Sequence, residues 1–230
     1  MDLRLLQGGT GSHTKSGQQN RAGIILIMVT KGLSGVSERK RTETASSRWG
    51  LFARNFFKHP RMLGSVIPSS RFLVNDLLAQ VNWDRARVFV EYGPGVGTIT
   101  QHILKRMHRD AVLVAIELND DFVRFLTTEI RDPRLMVLRG SASDARKLLA
   151  SVGLSQADYV ISGIPYSTFS EELRSEICEE TRELVEPTGT HLVYQFTTAV
   201  LPHLKSNFGL VQQEFQPWNI LPARIFYCTP

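Results

Sequence analysis

Val88-Phe89-Val90-Glu91-Tyr92-Gly93-Pro94-Gly95-Val96-Gly97-Thr98 decides the fold of this chain. The apolar, β-branched start is a strand, the three alternate glycines are a tight turn, and Ile99, Ile103, Leu104 and Met107 fall at helical spacing behind it. Glycine lets the backbone turn sharply and come close to a ligand. About twenty residues beyond such a turn, a second strand that ends in an acidic side chain presents it to a ribose diol. Here Val112-Leu113-Val114-Ala115-Ile116 is that strand, and Glu117 ends it. The pair predicts an adenosine-type ligand on a parallel sheet.

Outward from this unit, strand and helix patterns alternate. Strands are expected at 88–91, 112–117, 135–138, 158–161 and 190–196, and helices at 97–107, 119–130, 143–151 and 170–184, with Asn119 as a cap. Before them lies a helix carrying Phe72, Leu73, Leu77 and Leu78, with Pro68 and Ser69 at its start. Two extended stretches near 209–215 and 223–228 close the chain. Alternation of this kind builds a parallel sheet covered on both faces. The last two stretches, with no full helix between them, predict a hairpin and one antiparallel strand.

At 230 residues the chain suits one α/β domain with a substantial core. Its two cysteines, Cys178 and Cys228, suggest neither a disulfide framework nor metal ligation, and they suit a reducing, cytoplasmic setting. No His/Cys/Asp cluster suggests a metal. Charge is uneven. Residues 1–60 hold ten Lys/Arg and three acids, a balance of +7 where the whole chain carries +5. This basic end points to an anionic partner, nucleic acid or membrane surface. Residues 1–44, rich in Gly, Ser, Thr, Gln and Lys and without a period, are expected to be a disordered basic leader. In 45–60, Trp49, Phe52, Phe56 and Phe57 share a helical stripe flanked by Arg48, Arg54 and Lys58, and Pro60 ends it. That pattern fits an interfacial helix and equally a helix packed on the domain. The catalytic domain is expected over 61–230.

Acidic-x-Gly-x-Gly-x-Gly at Glu91–Gly97 resembles motif I of the class I S-adenosylmethionine-dependent methyltransferases. The resemblance implies a Rossmann-like, seven-stranded, mostly parallel sheet with helices on both faces, the last strand antiparallel, and S-adenosyl-L-methionine as cofactor. Glu91, Gly93, Gly95, Gly97 and Thr98 would lie along its amino-acid part. Glu117 and Leu118 would meet the ribose, and Ser141 and Ala142 the adenine. Ser141 stands where an Asp is usual. Ser162-Gly163-Ile164-Pro165-Tyr166 would face the transferred methyl, which makes Ser162, Pro165 and Tyr166 the expected catalytic residues, Tyr166 also touching the acceptor. Enzymes that methylate base amines often carry Asp or Asn where this chain has Gly163.

Ile67-Pro68-Ser69-Ser70, the glycine motif, Ser162–Pro165, Gln195-Phe196-Thr197 and Asn219–Ala223 together resemble the bacterial phospholipid N-methyltransferases, from about Trp49 to Tyr227. Thr198, where Tyr is common, and a lone Pro222 depart from that pattern. The resemblance implies an aminolipid acceptor, phosphatidylethanolamine and its methylated intermediates, with ornithine lipid methylation on the same framework. It implies head-group contacts by Ser69, Ser70 and Arg71. It also implies a peripheral enzyme on the inner face of an anionic membrane, held by Arg48, Trp49, Phe52, Arg54, Phe56, Phe57 and Lys58. The second reading is a ribosomal-RNA adenine N6-methyltransferase, which shares motif I and Pro-Tyr. Gly163, and the lack of a helical RNA-binding extension after the last strand, set it second.

Overall fold

The computed structural model describes residues 70–219 and 221–230. The expected leader, the expected 45–60 helix with the residues proposed to bind membrane, and Ser69 lie outside them. Ser70 starts the first described helix, α1 (Arg71–Leu77), by accepting from the Leu73 amide at 3.2 Å. The cap is therefore Ser70 rather than the expected Ser69. A serine oxygen placed this way satisfies one of the amides that a helix start leaves unpaired.

Seven strands follow: β1 (Val88–Tyr92), β2 (Val112–Glu117), β3 (Leu135–Arg139), β4 (Ala157–Ser162), β5 (Val185–Gln195), β6 (Leu210–Gln216) and β7 (Ala223–Thr229). Their spatial order is β3-β2-β1-β4-β5-β7-β6. β1 to β5 pair in parallel, and β7 runs antiparallel to both β5 and β6. The helices are α2 (Thr98–Arg106), α3 (Asp120–Glu129), α4 (Ala145–Ser151), α5 (Glu171–Leu184) and α6 (Leu201–Asn207). The expected seven-stranded α/β sheet with one antiparallel strand is what forms.

Two apolar cores, one on each face, explain why the strands read as continuous apolar runs. Alternate residues point opposite ways. Phe89, Leu113, Ile161, Leu192 and Ile225 pack with α1 and α2, whereas Val90, Val114, Val160, Val193 and Phe226 pack with α4, α5 and α6. A shift of one residue in any strand would exchange the two faces, so the register is firmly set. Asn119 and Ser170 cap α3 and α5 by accepting from amides of their first turns.

Two differences from the sequence expectation have local causes. β5 begins at Val185, five residues earlier than read, because its pairing with β4 breaks between Ala157 and Tyr159 and then resumes. Pro187 offers no amide to a ladder, so the chain bulges there and rejoins. The stretch 197–208, for which the sequence suggests no element, contains α6 with a proline in its first turn. Pro202 fits there because the first amides of a helix need no partner. Among the described residues no helix is long and apolar enough to cross a membrane. Cys178 and Cys228 are free and buried.

Candidate active site

The strand order reverses between β1 and β4, and ligands of open α/β sheets bind at such a switch point, beyond the carboxyl ends of the strands. Four loops meet there. Three of them prolong the sheet by one hydrogen bond: Gly93 N–H to Ile116 O at 3.0 Å, Gly140 N–H to Glu117 O at 3.0 Å, and Gly163 N–H to Tyr92 O at 3.2 Å. Gly93, Gly95 and Gly97 all take positive φ, at 66°, 55° and 76°. At Gly93 space also decides. A Cβ there would stand 2.7 Å from the Ile164 side chain, so the β1 and β4 loops touch only because the residue is glycine.

Glu117 joins the second strand to the turn. Its Oε2 accepts from Gly95 N at 3.1 Å and its Oε1 from Asn119 N at 2.9 Å. A carboxylate has room for about four hydrogen bonds, which leaves capacity for a pair of hydroxyls. Burial raises the pKa of Glu117, and the Asn119 and Gly95 amides oppose that rise. Glu91 sits deeper, 2% exposed, and its carboxylate accepts from Thr100 Oγ1 at 2.7 Å. Burial, with the charge of Glu117 adding, pushes its pKa up to about 7 against the Thr100 hydrogen bond.

A cavity of about 480 Å³ opens over these loops, bordered by Gly93, Glu117, Leu118, Ser141, Ala142 and Ile164. The volume is that of an ordinary cofactor site. Leu118 is 65% exposed, an apolar surface turned to the opening. Ser141 Oγ accepts from Ser143 N at 3.3 Å and Ser143 Oγ at 2.9 Å, so its own proton is free to donate. An apolar slot with a carboxylate for hydroxyls and a serine donor for a ring nitrogen fits S-adenosylmethionine. Glu117, Leu118, Ser141 and Ala142 would hold its adenosine part, and Gly93 would lie beside its amino-acid part.

Not every expected residue reaches the cavity. Pro165 does. Glu91, Gly97 and Thr98 do not border it: Glu91 braces α2 through Thr100, and Gly97 and Thr98 form the start of that helix. Gly95 acts through Glu117. Ser162 and Tyr166 are fully buried, and Ser162 Oγ donates to Tyr166 Oη at 3.4 Å. The Tyr166 ring lies in the α4–α5–α6 core, edge-on to Phe169. Tyr166, expected to touch acceptor and methyl, borders neither cavity here, and the short 3₁₀ turn Tyr166–Thr168 sets its ring inward. Ser70 is likewise taken up by the protein. Its N–H donates to Asn219 Oδ1 at 2.8 Å and its Oγ to Trp218 O at 2.9 Å, so it ties α1 to the β6–β7 loop. Arg71 is exposed with its guanidinium 4.9 Å from the Phe72 ring centre.

Sequence reasoning missed a smaller cavity, of about 130 Å³, between the β4 and β5 loops. Ile164, Pro165 and Thr168 line both cavities, and Tyr194, Gln195 and Phe196 close the far side of the small one. Gln195 Nε2 donates to Ile164 O at 2.7 Å and fixes the wall between them. The Gln195-Phe196 pair at the strand end was the signal available for this side.

The sequence profile described as ribosomal RNA adenine dimethylase matches residues 57–201. This chain belongs to that family. It is an S-adenosylmethionine-dependent methyltransferase. An ornithine lipid N-methyltransferase of Singulisphaera acidiphila is 32% identical over 180 residues, 77% of this chain and 94% of that protein. Ribosomal RNA small subunit methyltransferase A of Mycoplasma capricolum is 27% identical over 120 residues, half of this chain and 43% of that one. Among solved structures, the precorrin-6y C5,15-methyltransferase of Geobacter metallireducens superposes with a TM-score of 0.57 at 13% identity, covering 71% of this chain and 90% of its own, which speaks for the fold alone.

Proposed function

We propose that this enzyme transfers methyl groups to the amine of a membrane-lipid head group, phosphatidylethanolamine and its methylated intermediates on the way to phosphatidylcholine. The observation that carries the reading is the likeness to an ornithine lipid N-methyltransferase along nearly that protein's full length. The shared chemistry is a primary amine on a membrane lipid. The basic, aromatic 45–60 segment would hold the enzyme on the anionic inner face of a membrane, since each cation near such a surface contributes on the order of 1 kcal/mol.

The cofactor supplies an electrophilic sulfonium methyl. The protein's task is alignment, with the nitrogen brought to about 3–3.5 Å of the methyl carbon. A lipid amine behaves roughly like that of lysine, mostly protonated at neutral pH, and sheds a proton before attack. Tyr166 is too deep to take it. The Ile164 carbonyl is occupied by Tyr166 N–H at 2.9 Å and by Gln195. Thr168 Oγ1 donates to Pro165 O at 2.8 Å and keeps lone pairs for the amine, from which water removes the proton.

The second reading, methylation of a ribosomal-RNA adenine, is favoured by the family profile and the Mycoplasma relative. Labelled S-adenosylmethionine supplied with total lipid or total RNA separates the two. Label is expected in lipid, and chromatography against phosphatidylethanolamine and ornithine lipid assigns the head group. Label confined to RNA would overturn the lipid reading.

A further inference from the structure

Position 163 bears no side chain, and Tyr194 is what fills the space. A Cβ on Gly163 would stand 2.6 Å from Tyr194 Oη, 2.7 Å from Cε1 and 2.8 Å from Cζ. The ring therefore lies directly against the Gly163 α-carbon. Gly163 belongs to the loop that continues β4 into the switch-point crevice, and Tyr194 belongs to neighbouring β5. Both line the 130 Å³ cavity, which shares Ile164, Pro165 and Thr168 with the cofactor cavity. A group in the small cavity would thus lie across one wall from a cofactor held in the large one.

The chemistry of this small cavity is distinctive. Among the described residues its lining holds no carboxylate and no cation, but two aromatic rings, Tyr194 and Phe196, beside Thr168 and Ser167. A nucleobase is selected by matched donors and acceptors in the plane of its ring. A compact alkylammonium needs no such match, and aromatic faces attract it through their quadrupole. That attraction survives as methyl groups replace protons on the nitrogen, whereas a hydrogen-bonded amine site loses a partner with each methyl added.

We propose that Tyr194, admitted by the absent side chain at Gly163, forms with Phe196 the aromatic wall of the acceptor subsite, and that this wall retains methylated amines through successive transfers. The inference rests on the lipid-amine reading and deepens it by naming the residue that selects the acceptor.

Short-chain dihexanoyl phosphatidylethanolamine and its N,N-dimethyl derivative, with labelled S-adenosylmethionine, serve as probes for wild type, Tyr194→Phe, Tyr194→Leu and Gly163→Ala. Tyr194→Leu keeps apolar bulk and loses the ring. Its KM for the dimethyl lipid should rise at least about 5-fold, more than for the unmethylated lipid. Tyr194→Phe should stay within about 2-fold of wild type for both lipids. Gly163→Ala pushes the ring aside and should mimic Tyr194→Leu, which serves if the leucine variant does not fold. Cofactor affinity should be unchanged throughout, since Tyr194 does not border the cofactor cavity. An unchanged KM in Tyr194→Leu and Gly163→Ala, or equal damage in Tyr194→Phe and Tyr194→Leu, overturns the aromatic wall and leaves the lipid reading standing. A wild-type enzyme that labels neither lipid while labelling RNA overturns both.

Discussion

The Gly95 amide donates to Glu117 Oε2 at 3.1 Å, a hydrogen bond across 22 residues of sequence that locks the glycine turn to the end of the second strand. One carboxylate therefore shapes the turn and faces the cavity, and its removal should cost more than a ribose contact. Hydrogen bonds to a charged group are worth roughly 1.5–3 kcal/mol each. Glu117→Ala should weaken S-adenosylmethionine binding about 100-fold or more by calorimetry. Gly93→Val should weaken it as strongly by driving a side chain into Ile164. Both variants should fold. Wild-type affinity in Glu117→Ala would remove the ribose assignment.

Tyr166 offers a test of the buried ring against the motif-based expectation. Among the described residues its hydroxyl takes part in one weak hydrogen bond, from Ser162 at 3.4 Å. Tyr166→Phe should keep methyl transfer within about 3-fold and change stability by about 1 kcal/mol at most. A loss of activity of a hundredfold or more with the fold intact would return Tyr166 to the reacting centre.

Two buried groups should oppose each other in the pH dependence of stability. Glu91, with its pKa raised from 4.5 to about 7 chiefly by burial, keeps a proton that the unfolded chain gives up, so stability falls as pH rises between those values. His191 is fully buried, its Nδ1 3.0 Å from Val160 O. Burial lowers its pKa from 6.5 to about 4, so stability falls as pH drops through that window. Each effect is on the order of 3 kcal/mol, and they cancel where the windows overlap. Glu91→Gln should abolish the decline towards neutral pH and expose an acid-side loss. Urea midpoints between about pH 5 and pH 8 would read this. Parallel profiles for wild type and variant would count against the Glu91 proton.

The amphipathic segment is tested by co-sedimentation with liposomes. Phe52→Ser with Phe56→Ser should weaken binding even at low salt. Arg54→Glu with Lys58→Glu should abolish the preference for anionic vesicles. Cofactor affinity should persist in both. If the wild-type protein ignores anionic vesicles, or the charge reversal changes nothing, the segment is not a membrane helix.

What the sequence determined by itself was everything written in short-range pattern. Apolar alternation, glycine spacing and the cap at Asn119 act within one element, so the strand–turn–helix unit, the seven strands and the partly antiparallel end were all legible. Glu117 was legible for the same reason: a strand of six residues that begins at Val112 must deliver its last side chain to the sheet's carboxyl edge. The tertiary structure decided which side chains turn towards the cavity. The Pro-Tyr pair was expected near the transferred methyl, and it is the 3₁₀ turn after Pro165 that sets the Tyr166 ring against Phe169. Ser70 was expected at the head group, and only the folded chain brings Asn219 and Trp218 to hydrogen-bond it. Gly163 read as a missing amide, and only the pairing of β4 with β5 revealed the Tyr194 ring that needs the gap. Backbone conformation follows largely from neighbours in the chain, whereas the direction of a loop side chain depends on what packs against it from strands and helices remote in sequence.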